Sequence, residues 1–451
     1  MKINFLASLL CLTALTLPAA AEPLFPAKLA GHAIIPAFTF LPVPADAPKD
    51  AQIAGKFTGP VRNMVPESVM GDTGAQHGKR PTGIKLPFKG QPVQGLSGFA
   101  MDKAADGTVY ALTDNGYGSK ANSPDALLYF YNFAPDFVAG TVDIKKATFL
   151  RDPEFKVPFR IAYEGTDSRY LTGADFDIES IQIVGGDVWI GDEFGPYIIR
   201  ASLDGAIKAV YPTMDGDTVL KSPDNPSISA TSVMGKDWTV QRSGGFEGMA
   251  SQPGTTLLWA LLEKPTFGAD TKPEGTFIRA RAFDTATEKW TGAQFKFQFA
   301  EGATSIGDFN FIDATRALVI ERDNGEGDPS LKCEGDPKPD CFPSPAMVKH
   351  VTLIDTAQID NDGFVKKLGY IDLMDIADPD HLNREKTDAK RDLTGKFTFP
   401  FFTIEDVMKV DDTHIMIADD NNLPFSSGRK LDAAADNEFI LLDVTDLLAA
   451  K

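Results

Sequence analysis

Short runs of β-branched, aliphatic and aromatic residues set the pattern of this chain. They fall at 108–112, 180–184, 188–190, 197–202, 256–262, 277–283, 317–320, 350–355, 414–418 and 438–444, each bounded by Gly, Asp or Pro. Runs of this length and composition predict strands. Asp106-Gly107, Gly185-Gly186, Asp204-Gly205 and Asp411-Asp412 stand between paired runs and read as hairpin turns. Helical periodicity is confined to two short segments, 373–393 and 445–451. The pattern predicts an all-β fold.

The hairpins repeat. Five times a polar residue opens one strand and a charged residue ends the next. The pairs are Ser97 with Asp114, Glu179 with Glu193, Glu247 with Glu263, Asp308 with Arg322, and Glu405 with Asp419, spaced 17, 14, 16, 14 and 14 residues. Divergent repeats of short antiparallel strands suit a single β-propeller with four-stranded blades. Successive repeats begin 61 to 97 residues apart, so long loops must be inserted between strands. Residues 31–94 lack the marker. Either they build a sixth blade, or 31–35 pairs with the last strand and closes the ring.

In a propeller the first strand of a blade lines the channel and its antiparallel neighbour returns beside it. Both markers of every repeat are therefore expected at one rim. Ser97, Glu179, Glu247, Asp308 and Glu405 form an inner ring; Asp114, Glu193, Glu263, Arg322 and Asp419 form a second. Carboxylates crowded in this way oppose one another's ionisation unless something positive offsets them. Ca²⁺ takes many oxygen ligands in flexible geometry. The expected ligands are Asp114, Glu179, Asp192, Glu193, Glu247, Glu263, Asp308, Glu321, Glu405, Asp419 and Asp420. Zinc fits less well, because the few histidines form no close pair. A single acid at a strand end commonly caps a turn. Turn chemistry does not call for Glu, yet Glu recurs at 179, 247 and 405.

The formal charge of −19 excludes nucleic acid and anionic lipid as natural partners. Residues 1–21 carry Lys2, an apolar stretch over 5–17 and Ala19-Ala20-Ala21 before Glu22, the layout of a cleavable signal peptide. Nothing after it approaches a membrane span, so a periplasmic or secreted protein is expected, with 22–451 as one propeller domain. In an oxidising compartment Cys333 and Cys341 read as a local disulfide. Gly95-Leu96-Ser97-Gly98-Phe99 lacks the second glycine of a nucleophile elbow, and no nucleotide-binding fingerprint occurs.

Asp175-Phe176-Asp177-Ile178-Glu179-Ser180 and Trp189-Ile190-Gly191-Asp192-Glu193-Phe194-Gly195-Pro196-Tyr197 resemble the signature of the phytase-like family, also described as having esterase-like activity of phytase type. Gly245-Phe246-Glu247-Gly248, Leu261-Leu262-Glu263-Lys264-Pro265, Ile320-Glu321-Arg322-Asp323, Thr403-Ile404-Glu405-Asp406 and Asp419-Asp420-Asn421-Asn422 are similar to its later motifs. The likeness runs in order over 95–444. It departs at Ser97, where the other repeats carry an acid. The resemblance implies a six-bladed propeller and calcium-dependent phosphoester hydrolysis. On that reading Glu179, Glu193, Glu247 and Glu405 are the catalytic candidates, and Lys264, Arg322 and Arg429 grip phosphate oxygens. The expected partner is a small, phosphorylated ester, and the protein a monomer. Two alternatives stand beside it. One is a calcium-dependent lactonase or carboxylesterase, with Phe194, Tyr197, Phe246 and Phe425 walling an uncharged pocket. The other is a non-catalytic binding propeller with structural calcium.

Overall fold

Four of the five repeats become complete four-stranded antiparallel blades from consecutive chain. The computed structural model describes residues 22–59, 61–65, 69–72 and 80–451, so the expected signal segment 1–21 lies outside the described residues. Blade one is Leu96–Phe99, Val109–Thr113, Tyr129–Asp136 and Thr141–Phe149. Blade two is Ile178–Val184, Asp187–Asp192, Tyr197–Ser202 and Ile207–Pro212. Blade three is Phe246–Ser251, Leu257–Leu262, Phe277–Asp284 and Lys289–Gln298. Blade four is Ser305–Phe311, Arg316–Arg322, Lys349–Ile359 and Val365–Asp372.

Blade five takes Thr403–Lys409, His414–Asp420 and Asn437–Asp443 from the end of the chain. Its outer strand is Lys28–Ile35, antiparallel to Asn437–Asp443, with Ile35 opposite Asn437 and Lys28 opposite Asp443. The beginning and end of the described chain are thereby zipped together. The first strands of consecutive blades lie against one another, and that of blade five lies against that of blade one. The ring of described residues thus closes with five blades, the number of repeats in the sequence, and not the six that the resemblance implied. The described residues ahead of blade one supply the closing strand and small two-stranded ribbons rather than a blade of their own.

The core is divided among the blade interfaces, as the alternation of apolar positions requires. One apolar cluster joins Phe130 and Leu112 of blade one to Ile178 and Ile190 of blade two. Others join Trp189 to Phe246 and Leu262, Ile278 to Ile306 and Phe309, and Leu318 and Ile320 to Ile404 and Ile417. A further cluster joins Met416 and Phe439 back to Leu96 and Phe99. Two amides tie the first strands together inside the channel. Gln182 Nε2 donates to the Met249 carbonyl (2.8 Å) and to Asn310 Oδ1 (2.8 Å). Asn310 Nδ2 donates to the carbonyls of Phe99 (3.0 Å) and Val407 (2.9 Å). Each of the five blades contributes one of these residues.

The chain's last expected helix forms at Thr445–Ala449. The expected helix over 373–393 does not. Asp372 accepts from the Met374 amide (2.8 Å) and Asp378 from the Leu382 amide (2.8 Å), which satisfies the backbone locally and competes with helix formation. Pro379 also removes a donor.

Candidate active site

A β-bulge at the start of each first strand builds the rim. In blade two Ile178 pairs with Asp192 and Ser180 with Gly191, leaving Glu179 as the extra residue. Glu247 is extra in the same way between Phe246 and Gly248, and Glu405 between Ile404 and Asp406. A bulge re-aims a side chain without shifting the rest of the strand. Ile178, Phe246 and Ile404 therefore stay fully buried in the core while the following Glu turns to the rim. The residue after each partner, Glu193, Glu263 or Asp420, faces the same space.

The bulges also correct the expected register. Ile306 pairs with Glu321, so the residue equivalent to Glu179 in blade four is Gly307 and not Asp308. A Cβ on Gly307 would meet the Ile404 carbonyl oxygen at 1.8 Å, so only glycine fits there. Asp308 instead accepts from the Phe309 amide (2.7 Å), the Val407 amide (2.8 Å) and Asn310 Nδ2 (3.1 Å), stitching blade four to blade five. In blade five the rim residue is Asp420 rather than Asp419, which accepts from the Glu438 amide at 2.6 Å.

The resulting cavity, about 390 Å³, is lined by Asp114, Asp177, Glu179, Glu193, Glu247, Glu263, Glu405 and Asp420, with Lys264 and Arg322 as the basic groups among its lining. Seven of the eleven expected ligands gather here. Asp192, Asp308, Glu321 and Asp419 do not. Asp192 accepts from the amides of Asp177 (2.9 Å) and Gly195 (2.7 Å) and holds the turn that presents Glu193. Glu321 points to the opposite side of its strand from Arg322. There it accepts from the Ala300 amide (2.6 Å) and pairs with Lys367 (2.8 Å).

Asp177 was not among the expected ligands, although it stands two residues before Glu179 in the same acidic motif. Asn115 donates to its Oδ1 at 2.7 Å. Ser243, Asn324, Phe402, Thr403 and Asn422 complete the wall with Asn115 and Gly118. Phe194, Tyr197 and Phe246, expected to wall an uncharged pocket, are buried elsewhere, and Phe425 packs against a separate apolar cluster. Among the described lining residues Phe402 is the one aromatic side chain.

Arg429 is likewise displaced from its expected role. It donates to Glu438 at 2.6 Å, and its guanidinium lies 4.5 Å from the Phe397 ring centre. His32 closes the group, 2.9 Å from Glu438. Burial acts to raise the Glu438 carboxyl, and the Arg429 guanidinium together with the His32 ring holds it down at about 2. Arg429→Ala is expected to cost about 3–5 kcal/mol of stability by stranding a buried charge. Denaturation midpoints measure that loss, and calcium affinity measured alongside stays unchanged.

Burial and mutual repulsion push the rim carboxyls upward. Glu179, Glu193 and Glu247 lie well above the usual carboxylate range, first through desolvation and then through neighbouring acids. Desolvation carries Asp114 up to about 6 and Asp177 up to about 7. Glu405 rises to about 7, with Arg322 opposing the shift. Eight carboxylates facing two basic groups cannot all be ionised without further positive charge. Two carboxylates about 5 Å apart repel by about 3 kcal/mol at an effective dielectric of about 20.

The donor set fits a hard cation. Asp177, Glu179 and Glu193 bring one oxygen each within 4.8 Å of the others, and Glu193, Glu247 and Glu263 do the same. Glu193 belongs to both groups, and its Oε1 is buried with no hydrogen-bond partner. All these donors are carboxylate oxygens, which suit Ca²⁺ or Mg²⁺. The acidic loop over 323–328 offers no comparable site. Asp323 accepts from the amides of Met347 (2.8 Å) and Val348 (3.0 Å), and Glu326 from those of Ser427 (2.6 Å) and Gly428 (2.9 Å). Beyond it, Cys333 and Cys341 form the expected disulfide, which closes the turn leading to Phe342. The Phe342 ring centre lies 3.9 Å from the Arg80 guanidinium.

The family model described as Phytase-like: esterase-like activity of phytase matches residues 91–423. No curated protein is recognisably similar in sequence. Among solved structures the chain is similar to a native Bacillus subtilis arabinanase, at 10% identity and a TM-score of 0.33, covering 78% of this chain and 93% of that one. A Myxococcus xanthus glutaminyl cyclase gives 9% identity and a TM-score of 0.33, covering 78% and 91%. A luciferin-regenerating enzyme gives 12% and 0.31, covering 77% and 92%. Likenesses this weak carry no activity across to this chain.

Proposed function

The chain belongs to the phytase-like family, whose model covers residues 91–423, and on that premise we propose that it is a calcium-dependent phosphoester hydrolase acting in the rim cavity. The observation that carries the proposal is the charge imbalance of eight carboxylates against Lys264 and Arg322 in about 390 Å³. Asp177, Glu179 and Glu193, and Glu193, Glu247 and Glu263, are the groups that would hold calcium. Bound calcium would neutralise a substrate phosphate and lower the pKa of a water molecule.

The chain's own side chains divide the remaining work. Glu405 belongs to neither triad and is the proton acceptor of the proposal. Its Oε2 lies 3.3 Å from the Ser97 hydroxyl, which orients it. Lys264, 2.6 Å from Glu263, and Arg322 are the basic groups available to phosphate oxygens. Two cations in this volume suit a single phosphate group better than a polyphosphorylated ring. With Phe402 as the one aromatic side chain among its described lining residues, the cavity offers little to an uncharged lactone.

The same proposal keeps the protein outside the cytoplasm, as a monomer of residues 22–451 after loss of the signal segment. The disulfide supports export, and no described helix is long and apolar enough to cross a membrane. The test is hydrolysis of a phosphomonoester, a phosphodiester, phytate and a lactone by purified mature protein, in calcium and in chelator. Calcium-dependent phosphate release, greatest from the phosphomonoester, is expected. Lactone turnover alone would overturn the proposal. So would inactivity on all four while calcium still raises the melting temperature, which marks a structural ion in a binding propeller.

A further inference from the structure

Blade four breaks the acidic ring. Where the other blades carry Asp114, Glu193, Glu263 and Asp420, it carries Arg322, and Gly307 beside it presents no side chain. Arg322 is 3% exposed. Its Nη2 lies 3.3 Å from Glu247 Oε1, 3.1 Å from Glu263 Oε1 and 3.0 Å from Glu405 Oε1. A terminal guanidinium nitrogen has two hydrogens, so it cannot satisfy three carboxylates at once. Arg322 Nε is buried without a hydrogen-bond partner, which departs from the paired fork by which arginine ordinarily binds a carboxylate. One nitrogen at the focus of three carboxylate oxygens resembles an ion in its coordination shell more than a conventional arginine pair. Two of those three glutamates, Glu247 and Glu263, also belong to a triad able to hold a cation.

We infer that Arg322 is a built-in counter-ion that competes with calcium for Glu247 and Glu263, and that calcium loading releases its guanidinium to the substrate anion. The inference rests on the calcium reading above and adds a regulatory step to it. Without calcium, Arg322 keeps the buried glutamates compensated and is itself withheld from substrate. With calcium on Glu193, Glu247 and Glu263, two cations face the same carboxylates, and the flexible one yields. Asn324, which accepts from Nη1 at 3.1 Å, and Phe402, with its ring centre 5.9 Å from the guanidinium, flank the path toward the cavity. Phosphate binding then depends on calcium in two ways, through the ion itself and through the arginine it frees.

The experiment compares wild type with Arg322→Gln and Arg322→Lys. Calcium is titrated by competition with a chromophoric chelator, starting from calcium-loaded protein so that a variant unstable without calcium can still be measured. Inorganic phosphate binding to the calcium-loaded forms is then read by calorimetry. Arg322→Gln is expected to bind calcium about 10-fold more tightly or to take up an additional ion, because the same carboxylates no longer share their charge with a competing cation. It is also expected to lose most of its phosphate affinity. Arg322→Lys, which keeps a cation, is expected to stay near wild type in calcium affinity. Arg322→Met, which also removes the charge and is expected to tighten calcium binding likewise, carries the test if the glutamine variant does not fold. Calcium affinity and stoichiometry unchanged in Arg322→Gln, or weakened in parallel in both variants, overturn the inference while leaving the calcium reading intact. Calcium bound by Arg322→Gln and not by wild type supports the arginine as surrogate ion but removes the native calcium site. No binding by any of the three removes both.

Discussion

Glu193→Gln is expected to weaken calcium binding on the order of 100-fold and to reduce calcium-dependent phosphate release to background. Glu193 is the one carboxylate common to both oxygen triads found among the described residues, so its loss reaches both of them. Glutamine keeps the side chain's shape and leaves the turn intact, since that turn is held by Asp192 and not by Glu193. The contrast is Asp192→Asn one residue away. It weakens the bonds to the Asp177 and Gly195 amides and is expected to lower stability more than calcium affinity. Calorimetric calcium titration with parallel thermal melts separates the two. Equal calcium affinity in Glu193→Gln and wild type would contradict the site as drawn.

The second large effect concerns pH in the absence of cations. Burial raises Asp114 from 3.8 to about 6, Asp177 from 3.8 to about 7 and Glu405 from 4.5 to about 7. A carboxyl whose folded pKa is raised binds more protons in the native state than in the unfolded one. The stability associated with it is present below the unfolded value and lost as pH climbs through the folded value. A single group carried from 3.8 to about 7 accounts for about 4 kcal/mol, and coupling keeps the several groups from simply adding. Chelator-treated protein is therefore expected to melt markedly lower at pH 8 than at pH 5. Saturating calcium, which binds the ionised native cavity, reverses or flattens that slope. At the acid end the sign changes. Glu438, held near 2, contributes stability that disappears as pH falls toward 2. A chelator-treated protein more stable at pH 8 than at pH 5 would show that the cavity's carboxyls do not carry the burden assigned to them.

The propeller was legible because its signals are local. A hairpin joins strands close in sequence, so the run at 180–184, the turn at Gly185-Gly186 and the run at 188–190 announce a blade without knowledge of the rest. The same locality brings Glu179 and Glu193, Glu247 and Glu263, and Asp114 into one cavity, while Ser97 stays buried behind it against Glu405. What failed was register. Strict alternation cannot reveal a bulge, and the bulges beside Gly307 and Glu405 moved the rim positions to Gly307 and Asp420. Glu321 was misassigned for the related reason that it shares a strand with Arg322 but faces the other way, toward Lys367.

Long-range pairs were beyond reach. Nothing in the local pattern announces that Arg429 pairs with Glu438, that Glu438 also meets His32, or that Asn310 ties the channel to Phe99 and Val407. Asp177 was visible in the acidic motif, yet it precedes the strand and escapes a rule built on strand ends. The expectation of six blades came from resemblance rather than from repeats. It gave way to the pairing of Lys28–Ile35 with Asn437–Asp443, one of the two arrangements that the sequence left open.

The most direct measurement is a crystal structure of the mature protein grown with calcium and inorganic phosphate. The account predicts calcium within about 2.3–2.6 Å of a Glu193 oxygen, phosphate on the cavity side of that ion, and Arg322 turned from Glu247 and Glu263 toward the phosphate. A cavity free of calcium at saturating concentration, with its carboxyls paired to one another and to Arg322, would contradict it.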